Sequence, residues 1–289
     1  MSNTQHLYKT RIAPTPTGYL HLGNVYNFAL TAALAKKHNA AILLRIDDLD
    51  HQRVNKAYLQ DIFDTLKFLN IPWHEGPRNM QEFEQHYSQK HRMPLYLQAL
   101  RHLKDAGALF ACTCSRSIVQ QAAGNGAYPA TCLYKNLPFP GNNWRLNTTS
   151  PLLLQVKKLQ EDAVTAFLPA EMQHFVVRKK DGLPAYQLAS LIDDLHFNVS
   201  FIVRGADLWA STLAQQYLGI TLQRPAFSNI LFHHHPLLLS ETGNKLSKSS
   251  GSTSVQFLRK QGKTAQDIYA LAGMMAGAGA IQSWQDIQV

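Results

Sequence analysis

The stretch Tyr8-Lys9-Thr10-Arg11-Ile12-Ala13-Pro14-Thr15-Pro16-Thr17-Gly18-Tyr19-Leu20-His21-Leu22-Gly23-Asn24 decides the fold class. Tyr8 to Ala13 reads as a short buried strand, Pro14 to Gly18 as a turn-rich loop, and the residues from about Asn24 onward as a helix. A second apolar run, Ala40 to Ile46, ends in Asp47-Asp48-Leu49-Asp50 and so places carboxylates just past a strand. Ligands bind at that edge of open α/β sheets. Leu59, Ile62, Phe63, Leu66 and Leu69 then recur at helical spacing and make one apolar stripe. This alternation of strand and helix predicts an α/β fold built on a doubly wound parallel sheet.

Outward from there the pattern breaks near Ala108, into Cys112-Thr113-Cys114, a Gly-rich stretch around Gly124 and Gly126, and a Pro/Asn-rich run from Pro138 to Asn143. Residues 107–183 therefore read as an insertion. Alternation resumes with Val199 to Val203, followed by Arg204-Gly205-Ala206-Asp207, a helix, and the run Asn229-Ile230-Leu231-Phe232, which completes the sheet. Residues 237–289 then supply a loop carrying Lys245-Leu246-Ser247-Lys248-Ser249 and a short helical tail. The expected organisation is one Rossmann-like domain over 1–289 with 107–183 inserted into it.

A chain of 289 residues can bury a substantial core. Its hydrophobic fraction of 45% is ordinary for a globular protein, and no run of roughly 18 apolar residues marks a membrane span. The start, Met1-Ser2-Asn3-Thr4-Gln5-His6, lacks an apolar signal region, so the expected location is the cytoplasm. No membrane partner is expected, and separately a monomeric state. The formal charge of +9 points to a polyanionic partner. Because lysines and arginines are spread through the folded part, a large, shaped nucleic acid fits better than a disordered basic clamp. The three cysteines all fall between Cys112 and Cys132, an odd and clustered set that suits a metal better than a disulfide framework.

Two short segments suit polyphosphate chemistry. His21-Leu22-Gly23-Asn24 opens a helix, whose N–H groups and dipole favour anions, and Lys245 to Ser249 places two lysines and two hydroxyls on a loop. The triple His233-His234-His235 looks like a metal tract, but successive residues of a strand point to opposite faces, so it is expected not to ligate.

Arg11 to Asn24, Arg45-Ile46-Asp47-Asp48, Val203 to Leu208 and Lys245 to Ser249 together resemble the glutamyl-specific class I aminoacyl-tRNA synthetases, over about residues 8 to 250. Cys112-x-Cys114 followed by Tyr128-x-x-x-Cys132, and the short stretch after the second lysine loop, are most similar to the shortened members without an anticodon-binding domain. The resemblance implies that ATP, with Mg2+, activates L-glutamate as glutamyl-adenylate, and that glutamate passes to the queuosine base of a tRNA, tRNA(Asp). It further implies that His21, Gly23, Asn24 and Lys248 hold ATP, with His21, Lys245 and Lys248 acting on the departing phosphates. Asn24 stands where the family has a second histidine. The segment Arg11-Ile12-Ala13-Pro14-Thr15 with Asp47, Tyr186 and Arg204 would bind glutamate: two arginines bracket the carboxylates, and Asp47, in place of the family's glutamate, receives the ammonium. Residues 107–183 would form the acceptor-binding subdomain, with one Zn2+ on Cys112, Cys114, Cys132 and Tyr128, and His91 or His102 as substitutes for the tyrosine. A glutamyl-tRNA synthetase of reduced length, a noncatalytic RNA-binding relic and a nucleotidyltransferase with the same nucleotide-binding half remain as alternative readings.

Overall fold

The computed structural model describes residues 8–50, 54–122, 127–237 and 254–289. In chain order its strands and helices are β1 (Lys9–Ile12), α1 (Leu22–Lys37), β2 (Ala41–Leu44), α2 (Lys56–Phe68), the short turn α3 (Met80–Glu82), α4 (Met93–Asp105), β3 (Leu109–Cys112) and α5 (Arg116–Ala122). These are followed by β4 (Asn143–Leu146), β5 (Leu154–Val156), β6 (Val164–Ala166), β7 (Val176–Arg178), α6 (Tyr186–His196), β8 (Phe201–Gly205), α7 (Trp209–Thr221), β9 (Leu231–His235), α8 (Val255–Lys260) and α9 (Ala265–Met275). No helix among the described residues is long and apolar enough to cross a membrane.

The chain divides into two compact units. The first holds the described residues of 1–91, 199–206 and 233–289, and the second those of 92–198 and 207–232. The expected insertion, 107–183, falls wholly within the second.

In the first unit β1 and β2 pair in parallel, with Lys9 opposite Ala41 and Ile12 opposite Leu44. β8 runs beside β1: the Ser200 N–H donates to the Lys9 carbonyl at 2.9 Å, and the Thr10 hydroxyl to the Phe201 carbonyl at 2.9 Å. α1 packs across β1, β2 and β8. It is rich in alanine and buries Val25, Phe28, Ala29, Leu30, Ala32, Ala33, Leu34 and Ala35, so it is apolar on nearly every side, as a helix enclosed by its neighbours must be. α2 shows the opposite pattern. Its stripe Leu59, Ile62, Phe63 and Leu66, continued by Leu69, is buried as the spacing predicts, while Lys56, Gln60 and Lys67 face solvent.

The end of β2 is braced by a tight turn. His74 and Glu75 donate their N–H groups to the Ile42 carbonyl, Leu44 donates to the Glu75 carbonyl, and Gly76 follows at φ +98°. A Cβ on Gly76 would stand 2.2 Å from the Leu44 carbonyl oxygen. Only glycine meets both demands.

The second unit has an antiparallel three-stranded sheet in the order β3-β4-β7 and an antiparallel pair, β5 with β6. Against its helices lies a fully buried polar knot. Arg92 makes two bonds to Asp193, at 2.7 and 3.0 Å, and the Tyr96 hydroxyl donates to the same carboxylate at 2.6 Å. Breaking such a buried pair on one side leaves an uncompensated charge, so this knot ties α4 to α6.

Candidate active site and metal centre

His21 is the N-cap of α1. Its Nδ1 accepts the Gly23 N–H at 3.1 Å, and the Asn24 Oδ1 accepts the His21 N–H at 3.1 Å, which closes a reciprocal capping box. The helix therefore begins at Leu22, two residues before the start read from the sequence, and the first-turn Gly23 amide is already bonded. Because Nδ1 accepts, the proton of a neutral imidazole sits on Nε2. The capping role thus occupies one nitrogen of the ring, Nδ1.

Two further contacts hold this turn. The Leu20 N–H donates to Asp61 Oδ2 at 3.0 Å, which ties the signature loop to α2. Burial raises the Asp61 pKa, against the lowering effect of that bond and of Thr65. A raised carboxyl pKa means that ionisation penalises the folded state above the folded pKa, and that the penalty is relieved as pH falls through it. Asp61→Asn, which keeps an acceptor oxygen, is expected to be at least as stable as the parent at neutral pH, with the difference shrinking on acidification. Asp61→Ala should cost about 1–3 kcal/mol because the Leu20 amide loses its acceptor. Denaturant unfolding of both variants at neutral and acid pH checks this; equal destabilisation of the two would refute it.

Lys245 and Lys248 lie outside the described residues. The described chain ends at Leu237 before them and resumes at Ser254 after them. Before them, the His235 Nε2 meets the Asn27 Nδ2 of α1 at 3.0 Å while the His235 Nδ1 bonds the Pro236 carbonyl at 2.8 Å. After them, Ser254 bridges His21 and the Val255 N–H donates to the Leu20 carbonyl at 2.8 Å. Both ends of segment 238–253 are therefore fastened to the first turns of α1. The structure gives His235 a packing role in this fastening.

The candidate amino-acid site gathers on the strand ends of the same unit. Arg11 (6% exposed) on β1 and Arg204 (2% exposed) on β8 are buried guanidinia on adjacent strands, and the Arg11 Nη1 donates to the Val203 carbonyl at 3.3 Å. Past β2, the Arg45 and Asp47 N–H groups donate to the Ile12 and Pro14 carbonyls, which joins this segment to the loop holding Ala13 and Thr15. Asp47 is not a lone carboxylate. Arg45 pairs with it through two bonds, Nε to Oδ1 at 2.8 Å and Nη2 to Oδ2 at 3.1 Å. Sequence reasoning missed Arg45 as a functional group, although an Arg-x-Asp spacing on extended chain puts both side chains on one side. Asp48 turns elsewhere and accepts from the Ser88 hydroxyl and the Gln89 N–H. Tyr186 belongs to the second unit, where it opens α6 and is 43% exposed.

The three cysteines are free, buried, and have their sulfurs within 4.8 Å of one another, the group with metal-holding geometry among the described residues. Cys114 and Cys132 are 3.6 Å apart, and the Tyr128 hydroxyl lies 3.3 Å from the Cys112 sulfur and accepts the Cys132 N–H at 3.0 Å. Sulfurs bound at about 2.3 Å to one tetrahedral zinc ion stand about 3.8 Å apart, so the donor set fits such an ion. His91 instead bonds the Glu84 carbonyl. Phe110, Val119 and Leu133 enclose the cluster in apolar surface. Burial works against the Cys132 thiolate, but hydrogen bonds from Tyr128, Thr113 and Cys114 bring its pKa down to about 6. Burial, then the bond with Cys132, pushes Cys114 up to about 11. Burial first, then its bonds to Cys112 and Cys132, also raises Tyr128. Crowded anions without a cation favour one ionised member at the others' expense, and a divalent ion removes that conflict.

The family model described as tRNA synthetases class I (E and Q), catalytic domain, matches residues 8–128 and 156–276. The chain belongs to this family. The synthetase is 33% identical to a glutamyl-Q tRNA(Asp) synthetase of Nitratidesulfovibrio vulgaris, over 94% of the chain and 87% of that protein. It is 30% identical to glutamate–tRNA ligase 2 of Caldicellulosiruptor saccharolyticus, over 86% of the chain and 54% of that protein. Its fold matches the crystal structure of glutamate-tRNA synthetase from Elizabethkingia anophelis with a TM-score of 0.74 at 21% identity, over 97% of the chain and 64% of that structure.

Proposed function

We propose that this synthetase is a cytoplasmic ligase that activates L-glutamate with ATP and transfers it to the queuosine base in the anticodon loop of tRNA(Asp). The observation that carries the amino-acid assignment is that Arg11 and Arg204 are buried on adjacent strands and that the Arg45–Asp47 pair is buried just past β2. A dicarboxylic amino acid, two anions and one ammonium, suits two guanidinia and a carboxylate; an amide in place of the side-chain carboxylate would forgo the charge-assisted bonds to an arginine. The resemblance to glutamyl-Q tRNA(Asp) synthetase along most of that protein's length supports the choice of acceptor.

In this reading Arg11 and Arg204 hold the carboxylates, Thr15 and Tyr186 add hydroxyl donors, and Asp47, kept in place by Arg45, offers its remaining lone pairs to the ammonium. Glutamate's α-carboxylate attacks the α-phosphorus of ATP, glutamyl-adenylate forms and pyrophosphate leaves. Mg2+ on the phosphates supplies charge neutralisation when bound. His21, through Nε2–H, and Lys248, assisted by Lys245, donate to the phosphate oxygens as charge builds on them, which favours the transition state. Gly23 and Asn24 form the turn beneath the nucleotide. A hydroxyl of the queuosine diol then attacks the acyl carbon and AMP departs. We read the two-stranded β1–β2 ladder and β8 as parts of one doubly wound sheet, and 107–183 as the acceptor-binding subdomain. In that subdomain Cys112, Cys114, Cys132 and Tyr128 bind one zinc ion, with a structural role.

The test is transfer of labelled glutamate to tRNA from cells with and without queuosine, followed by removal of the 3′ end. Label is expected on the queuosine-bearing pool alone, and it should survive loss of the 3′ adenosine. Equal labelling of both pools, or label lost with the 3′ adenosine, identifies 3′-end charging instead.

A further inference from the structure

The second unit buries one cation that neither the fold nor the proposed reaction accounts for. Arg145, on the central strand β4, is 8% exposed. Its guanidinium lies over the ring of Tyr128, 3.8 Å from the centroid. Its Nη1 donates to the His174 carbonyl at 2.8 Å, and its Nε finds no hydrogen-bond partner among the described residues. A neutral carbonyl is a poor partner for a buried charge, which costs several kcal/mol unless an anion compensates it. His174 does not supply one: its Nδ1 accepts the Thr148 N–H, and its ring stands edge-on to Phe110 and Tyr128. The ring that Arg145 covers is that of Tyr128, whose hydroxyl lies 3.3 Å from the Cys112 sulfur, so the guanidinium stands against a member of the metal cluster.

A zinc ion held by three thiolates and a phenolate is not neutral. Four anionic ligands around a doubly charged ion leave two negative charges in an apolar pocket. We propose that Arg145 is a positioning residue for this centre: its guanidinium offsets one of the two excess negative charges of the loaded site and presses Tyr128 into place from the ring face. The arrangement resolves two costs at once, because the buried cation and the over-charged centre are each unfavourable alone. The inference rests on the zinc reading above.

The test uses the full chain purified without chelator, with zinc affinity measured by chelator competition and unfolding followed by heating with and without zinc. Arg145→Met is expected to weaken zinc binding by about 10- to 100-fold. Arg145→Lys, which keeps the charge, should recover most of it. Arg178→Met, on the neighbouring strand β7 and stacked on Trp144 at 4.5 Å, should leave zinc affinity unchanged. The zinc-free Arg145→Met protein should unfold at the parent's temperature or above, since an unmatched buried cation is gone, while the rise in unfolding temperature on adding zinc should shrink. A residue with only a packing role would lower the zinc-free temperature and leave zinc affinity alone; that outcome overturns the proposal, as does an Arg145→Lys protein no better than Arg145→Met. If Arg145→Met does not fold, Arg145→Gln replaces it, because it keeps a donor for the His174 carbonyl without the charge. A parent chain that binds no zinc rejects the zinc reading and this inference with it, whereas a zinc-binding parent matched by Arg145→Met rejects the inference alone.

Discussion

Arg204→Met is expected to lower glutamate-dependent ATP–pyrophosphate exchange, measured without RNA, by about 30- to 5,000-fold in kcat/KM. The range follows from the roughly 2–5 kcal/mol lost when one partner of a buried, hydrogen-bonded charge pair is removed. Arg204 is 2% exposed and stands on the strand next to that of Arg11, so a ligand carboxylate meeting it is stripped of water and depends on its donors. The loss should fall mainly in KM, because a group that binds the amino acid acts in ground and transition states alike. Arg204→Lys should recover only part of it, since an ammonium cannot reproduce the two-pronged contact. The parent enzyme should discriminate strongly against glutamine for the same reason. Unchanged kinetics in a folded Arg204→Met protein, or equal exchange with glutamine in the parent, would remove the dicarboxylate site from the account.

Gly76→Ala is expected to destabilise the protein by about 2–5 kcal/mol, the combined scale of backbone strain at positive φ and of overpacking. The change would act at the end of β2, where the Leu44 carbonyl oxygen stands 2.2 Å from the position of the new Cβ. The neighbour here is backbone, not the tip of a flexible side chain, so the clash is relieved only by moving Leu44 or the turn. Leu44 is followed by Arg45 and then Asp47, and exchange activity should fall with stability. Thermal and denaturant unfolding give the first readout and exchange at a permissive temperature the second. A Gly76→Ala protein as stable and active as the parent would show that the turn can shift without cost.

The parts of this molecule legible in the sequence are those written locally. The strand, loop and helix entry and the stripe Leu59, Ile62, Phe63, Leu66 and Leu69 obey a short period, and both are present. The start of α1 was less legible because its cap is a histidine ring nitrogen, outside the usual Ser, Thr, Asp and Asn signal; Asn24 three residues on, as the reciprocal partner, was the available clue. The cysteine cluster was readable from spacing, and its sulfurs do converge. Arg145 was not. It reaches Tyr128 only because β4 pairs with β3, and no local pattern marks a strand arginine as buried. The division into two units was likewise hidden, since residues 199–206 return to the first unit after a long excursion through the second.

The fastening of both ends of segment 238–253 to α1 sets a limit on distance that holds whatever path the segment takes. Lys248 is six residues from Ser254, which bridges His21. A chain of that length spans at most roughly 20 Å when fully stretched. The covalent chain alone therefore keeps the position-248 backbone within about 20 Å of the described Ser254, an effective concentration on the order of tens of millimolar. In the proposed reaction a lysine tethered this way would meet the departing phosphates as a group of the same chain and not as a diffusing one.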